Sequence, residues 1–143
     1  MQIQGLEREM TALLTGMNLI GNYPLSLVCT DQGLLVAASG ESLRSEIAAG
    51  LTSLFDDIVV RAQRDLGFPR VDELTLTDGD SNRYVIRPLP IDANLRLFLV
   101  VQVPVKATWR HNTNLLIKRL IDLLRPLVER DAGEAATERQ DEL

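Results

Sequence analysis

The run Leu95–Val103 (Leu-Arg-Leu-Phe-Leu-Val-Val-Gln-Val) restricts what this chain can fold into more than any other stretch. It is so continuously apolar that a strand made from it must be covered on both faces, not on one. A sheet with a helical layer on each side meets that demand, and the remaining sequence supplies three helices. From Ile3 to Met17 the residues Leu6, Met10, Leu13, Leu14 and Met17 recur at the three-and-four spacing of one buried helical stripe. A second periodic stretch runs from Leu43 to Leu66, with Ser42 placed to cap its start and Gly67 to end it. A third runs from Thr108 to about Glu129 on Leu116, Leu120, Leu124 and Leu127, flanked by Ile117, Ile121 and Val128. Pro126 marks a kink there or an early end.

Between the helices lie short strand-like runs. Leu25–Thr30 and Leu34–Ser39 flank Asp31-Gln32-Gly33, a hairpin connection whose glycine can take positive φ. Beyond Pro69, Leu74-Thr75-Leu76-Thr77 alternates, and Asp78-Gly79-Asp80-Ser81-Asn82 turns the chain into Arg83–Arg87. Pro88 and Pro90 should close that strand, and Asp92-Ala93-Asn94 should lead into the central run. The element order is αββαβββα, which predicts an α+β fold: a three-layer sandwich around one five-stranded sheet. Residues 1–130 form a single domain on this reading. Residues 131–143 carry five acids and one base and no aromatic or β-branched apolar residue, so a disordered acidic tail is expected.

Composition excludes several function classes. The net charge is -5, and removing the -4 of residues 131–143 leaves a body near -1. Such a body lacks the basic footprint of a nucleic-acid binder. The uncharged run Met10–Thr30 is long enough to span a bilayer, but Gly16, Asn18, Gly21, Asn22 and Pro24 interrupt it, so no membrane insertion is expected. Glu7 and Glu9 stand where a secretory signal has basic residues, and the start reads as mature structure. The single cysteine, Cys29, makes neither an intrachain disulfide nor a thiolate cluster, which fits a reducing cytoplasm.

No catalytic signature is present. His111, the one histidine, has no acid or second ligand at helical spacing, so it reads as a surface residue. Cys29, inside a strand, reads as a small buried hydrophobe. The turn at Asp78 opens like a calcium loop, but Arg83 replaces the required glycine and Leu89 the bidentate glutamate. Gly-rich phosphate loops are missing as well. Trp109 reads as packing against the sheet. Neither metal nor cofactor is expected, and no catalytic residue.

The second helix is the informative element. Leu43, Ile47, Leu51, Leu54, Phe55, Ile58, Val59, Ala62 and Leu66 spread over an arc wider than a sheet-facing stripe, so one sheet face need not cover it all. The opposite arc holds Glu46, Ala49, Gly50, Ser53, Asp57, Val60 and Arg64, in which Ala49, Gly50 and Ser53 would admit another helix at close range. On the residues alone, that strip reads equally as a solvated face or as a two-fold interface.

The hairpin Leu25-Ser26-Leu27-Val28-Cys29-Thr30-Asp31-Gln32-Gly33-Leu34-Leu35-Val36-Ala37-Ala38-Ser39-Gly40 resembles the one that opens roadblock/LC7 domains. Tyr84-Val85-Ile86-Arg87-Pro88-Leu89 and Asn114-Leu115-Leu116 stand where that family's pattern continues, and the likeness runs from about Ile3 to Glu129. It implies a profilin-like sandwich of sheet order 2-1-5-4-3, with the second helix on one face and the first and last on the other. It also implies a homodimer, or a heterodimer with a similar roadblock subunit, in which the third strands pair antiparallel and the second helices lie side by side. Leu74, Thr75 and Leu76 would join the helix strip in that interface. Family members of the bacterial type partner small Ras-like GTPases, often as GTPase-activating proteins, and eukaryotic ones act as scaffolds. An arginine finger would nominate Arg44, Arg61 or Arg64, but the likeness favours a docking surface that repositions the GTPase's own residues. The competing readings are an adaptor without effect on hydrolysis, and a ligand-sensing domain on a PAS-, GAF- or longin-like sandwich.

Overall fold

The structure, a computed structural model, describes residues 2–92 and 94–141, and the side chains of all of these except 2–4, 42, 43 and 130–141. Its elements are α1 (Gln2–Gly21), β1 (Leu25–Thr30), β2 (Leu35–Gly40), α2 (Ser42–Asp65), β3 (Leu74–Thr77), β4 (Arg83–Asp92), β5 (Leu95–Val103) and α3 (Arg110–Asp141). The strands form one antiparallel sheet of order β2-β1-β5-β4-β3. The long apolar strand β5 is central, as its sequence requires, and Leu97 to Val101 are all buried.

Each face of β5 feeds a different core. Leu97, Leu99, Val101 and Val103 pack with Met10, Leu14 and Met17 of α1 and with Leu116, Leu120 and Leu124 of α3. Phe98 and Val100 join Leu25, Leu27 and Cys29 of β1 and Ile86 of β4 beneath Ala48 and Ala49 of α2. The alternation of a strand thus sorts one run of residues into two layers. Tyr23 ties the end of α1 to the last layer, its hydroxyl donating to the Thr108 carbonyl and accepting from Asn112 Nδ2 at 2.9 Å.

Three boundaries differ from the sequence expectation. Ser42 is the first helical residue of α2, not its cap; Glu41 occupies the cap position and makes no side-chain capping bond. β4 continues through Pro88 and Pro90 to Asp92, with a register irregularity between Leu89 and Asp92. The prolines are tolerated because β3 accompanies only Arg83–Ile86, leaving the far half of β4 with an open side where no ladder donor is needed. Last, α3 neither ends at Pro126 nor stops near Glu129, and its backbone is helical to Asp141. Asp122, whose carbonyl Pro126 cannot engage, and Pro126 itself are both solvent-exposed. The added residues are largely Ala, Glu, Arg and Gln, all strong helix formers. The residue Ala93 of the expected turn, and the last two of the chain, lie outside the described residues.

Gly33, in the β1–β2 turn, has φ +81°, and a Cβ placed on it would stand 2.9 Å from the Ala49 carbonyl oxygen and 3.2 Å from the Gly50 Cα. Gly33→Ala should therefore lower stability by about 1–3 kcal/mol, combining left-handed strain with a steric conflict against helix backbone. A urea unfolding curve measures it; an unchanged midpoint would show that the hairpin does not abut α2.

Candidate functional site

α2 lies against the sheet with its small side chains. Ser45, Ala48, Ala49, Thr52 and Val59 are buried, and Thr52 Oγ1 donates to the Ala48 carbonyl at 2.8 Å. Asp56 pairs with Arg96 at the start of β5, so the helix is also tied to the sheet by charge. Burial pushes the Asp56 carboxyl above the usual carboxylate range, and Arg96 only partly draws it back. At the hairpin side, Ala49, Gly50 and Ser53 are the residues closest to Gly33. Of the small strip read as a possible interface between chains, Ala49 is fully buried and Ser53 half-buried, while Gly50 is exposed and a side chain on it would meet open space.

The bulky aliphatic residues point the other way. Ile47 is 57% exposed, Leu51 46%, Leu54 65% and Ile58 47%, a four-three-four series along one helical face. Of the wide apolar arc, Ile47, Leu51, Leu54 and Ile58 are the part that the sheet leaves uncovered. Val59 does face it, and Phe55 is half-buried, while Leu66 is 70% exposed. The side chain of Leu43 lies outside the described residues. Beside the stripe is a groove of about 270 Å³ between α2 and the sheet, lined by Leu51, Phe55, Leu76, Tyr84, Ile86 and Val100 among others. Among the described residues, Arg44 is the one charged residue on it. β3 forms the outer wall and is the edge strand of the sheet, with Leu74 half-buried, Thr75 exposed and Leu76 47% exposed. Stripe, groove and strand edge make one continuous apolar surface of the kind that marks an interaction site.

The remaining sequence-predicted residues surround it. Glu46, Gly50, Asp57 and Arg64 are exposed on α2, while Ser53 and Val60 are half-buried. Arg44 pairs with Glu41 at 3.5 Å, Arg61 with Asp57 at 3.0 Å and Arg64 with Asp65 at 2.8 Å. Each of these pairs is more than half exposed and holds its arginine only weakly. The width of the apolar arc implied that part of it would stay uncovered but not which part; the signal for that was the glycine turn facing a run of small helix residues.

Elsewhere the chemistry is structural. The Asp78 Oδ1 atom accepts from the backbone N–H groups of Asp80 and Asn82 at 2.8 and 3.0 Å, which makes that loop a hairpin turn. Among the described residues no cluster of His, Cys, Asp or Glu could hold a metal ion, and no helix is long and apolar enough to cross a membrane. His111 is exposed. Trp109 is flanked by two guanidinium groups, Arg110 at 4.5 Å and Arg87 at 5.8 Å from the ring centre.

No family model and no curated protein matches the sequence. Solved structures do match in shape. MglB of Myxococcus xanthus superposes with a TM-score of 0.66 at 15% identity, over 85% of this chain and 96% of that one. A roadblock/LC7 domain from Streptomyces avermitilis gives 0.63 at 14%, over 83% and 97%. The chain has the roadblock/LC7 fold. An MglB structure with a tetrameric arrangement shares this fold at a TM-score of 0.65 and 15% identity, covering 87% of this chain and 91% of that one. The sheet order 2-1-5-4-3 and the placement of one helix against two are those the roadblock likeness implied.

Cys29 sits at the bottom of the α2 layer of the roadblock sheet. Burial pushes its thiol up to about 11, offset in part by a hydrogen bond with Thr52. At pH 8 the native thiol should react with a maleimide at least about 100-fold more slowly than in urea, since both thiolate fraction and access are reduced. Labelling at equal rates would mean that α2 opens freely.

Proposed function

We propose that the chain is a non-catalytic regulatory module that self-associates through α2 and β3 and docks a small Ras-like GTPase in the cytoplasm. The observation that carries the reading is the exposed stripe Ile47, Leu51, Leu54 and Ile58 beside an apolar groove and a free strand edge. A second copy related by a two-fold axis would extend the sheet by pairing β3 with β3 and would set the two stripes side by side. The exposed Glu46, Gly50, Asp57 and Arg64 would border that seam. The fold shared with MglB, one structure of which is tetrameric, supports self-association, and the roadblock likeness supports a GTPase as partner.

The paired helices would present one platform to the GTPase. Arg44, Arg61 and Arg64 lie on the outer surface of α2 and could meet the nucleotide side of a docked GTPase, but each already has a carboxylate partner. Activation by repositioning the GTPase's own residues is the route the surface favours. An adaptor role uses the same platform and is separated from activation only by the rate of hydrolysis.

Leu51→Arg tests the seam. Light scattering over a dilution series should give a dimer for the natural sequence and a monomer for the variant, with the dissociation constant raised at least about 100-fold and the far-ultraviolet spectrum unchanged. A natural-sequence monomer at every concentration would remove the seam. Single-turnover GTP hydrolysis by Ras-like GTPases is the second measurement: acceleration lost in Leu51→Arg supports activation, and binding without acceleration makes the chain an adaptor.

A further inference from the structure

β3 is only four residues long, pairs with β4 alone and forms the edge of the sheet. Its two faces are treated differently. Leu74 packs in the core beneath α2 and Leu76 lines the groove, whereas Glu73 and Thr75, at the alternate positions, belong to the face turned toward α3. There Glu73 takes two partners at once. One carboxylate oxygen accepts from Thr75 Oγ1 at 2.9 Å, and the other is paired with Arg110 in the first turn of α3.

Arg110 is itself stacked on Trp109, its guanidinium carbon 4.5 Å from the ring centre. Arg87 lies 5.8 Å from the same ring, donates to Thr113 Oγ1 at 2.9 Å and to Asn114, and reaches the Asp72 carbonyl at 3.4 Å. Thr113 is fully buried and donates to the Trp109 carbonyl at 2.8 Å, so the start of α3 is a fixed base for these groups. The backbone of Asp72 and the side chain of Glu73, the two residues that lead into β3, are thus both held by arginines that share one indole. An exposed ion pair alone is weak, but one whose cation is also oriented by an aromatic face is more directional.

We propose that Glu73, Arg110 and Trp109 are positioning residues that hold β3 extended and in register for pairing with a second copy, so that the strength of self-association is set from the α3 layer. The proposal rests on the β3 seam described above and adds what aligns it. None of the three side chains needs to touch the second copy. Loss of the clamp would leave α2 and its stripe in place while the strand edge frays, since β3 has only its four residues of pairing to β4 to keep it extended.

Two measurements decide it. In the Leu51→Arg background, where the α2 seam is blocked, hydrogen exchange of the Leu74–Thr77 amides should quicken about tenfold on adding Arg110→Gln or Glu73→Gln, while the amides of β1 and β5 keep their rates. Arg110→Lys, which retains charge and some stacking, should recover part of the protection. In the natural sequence, Arg110→Gln should raise the dimer dissociation constant about tenfold and flatten its rise with salt, because the screened ion pair is gone. Unchanged β3 exchange in both Gln variants overturns the clamp whether or not the chain dimerises. Faster exchange with an unaltered dissociation constant and salt slope overturns the link to self-association. A chain that stays monomeric in the natural sequence would overturn the seam itself, with the exchange result still deciding the clamp.

Discussion

The approach of Gly33 to the backbone of α2 at Ala49 and Gly50 sets how that helix is rotated on the sheet. A Cβ at Gly33 would stand inside contact distance of a helix carbonyl, so the hairpin and helix meet with no side chain between them. That closeness requires small residues on the helix side, and Ala48, Ala49 and Thr52 supply them. The sheet beneath carries Leu25, Leu27, Phe98 and Val100, and the small helix residues let α2 sit close upon them. Asp56 and Arg96 fix the same rotation from the other end. With its small side inward, the helix has no choice but to carry Ile47, Leu51, Leu54 and Ile58 on the outside. The exposed apolar stripe is thus a consequence of a packing constraint on the opposite side of the helix.

The fold was legible because its evidence is periodic. The continuous run of β5 demanded a double-sided sheet, and the three-and-four spacing of α1 and α3 named Met10, Leu14, Leu116, Leu120 and Leu124 as core, where they are. Order and spacing of weak motifs then pointed to the roadblock sandwich. The rotation of α2 was not legible, because periodicity gives the arc of apolar residues and not which part of it touches the sheet. Its apolar arc was too wide for one face, and nothing in its period says which part stays outside. Volume decides instead, and volume belongs to the residues of other elements: Gly33, Phe98 and Leu27 are distant in sequence from the helix they constrain. The strand boundary at Pro88 misled for a similar reason. Proline ends a strand only where a ladder donor is needed, and whether it is needed depends on how far the neighbour β3 extends.

Trp109 carried no legible role in the sequence, since its meaning lies in partners drawn from β4 and α3. Arg87 lies in the middle of a strand, and burial together with the neighbouring Arg110 lowers its pKa below the ordinary arginine value. Two guanidinium groups that repel each other are tolerated here because both lie within reach of the electron-rich Trp109 ring. The carboxylate of Glu73 offsets one charge, and neutral oxygens of Thr113, Asn114 and Asp72 receive the other. The arrangement is polar and directional, in contrast to the apolar groove on the other face of the same strand.

That contrast gives the edge strand two kinds of control. On the α2 face Leu74 and Leu76 offer area, a non-directional contribution that rewards any close apolar partner. On the α3 face Glu73 and Thr75 offer orientation, through bonds that hold only in one geometry. Area without orientation would let a four-residue edge pair in several registers, since slipping by one residue exchanges its faces. Orientation without area would align an edge that has little reason to associate. Salt separates the two, because screening weakens the Glu73–Arg110 pair while leaving the apolar stripe intact or, with strongly hydrated anions, strengthening its burial. On the proposed pairing, such an edge would be selective at low ionic strength and merely adhesive at high, and the change would follow from a single ion pair on the sheet face away from α2.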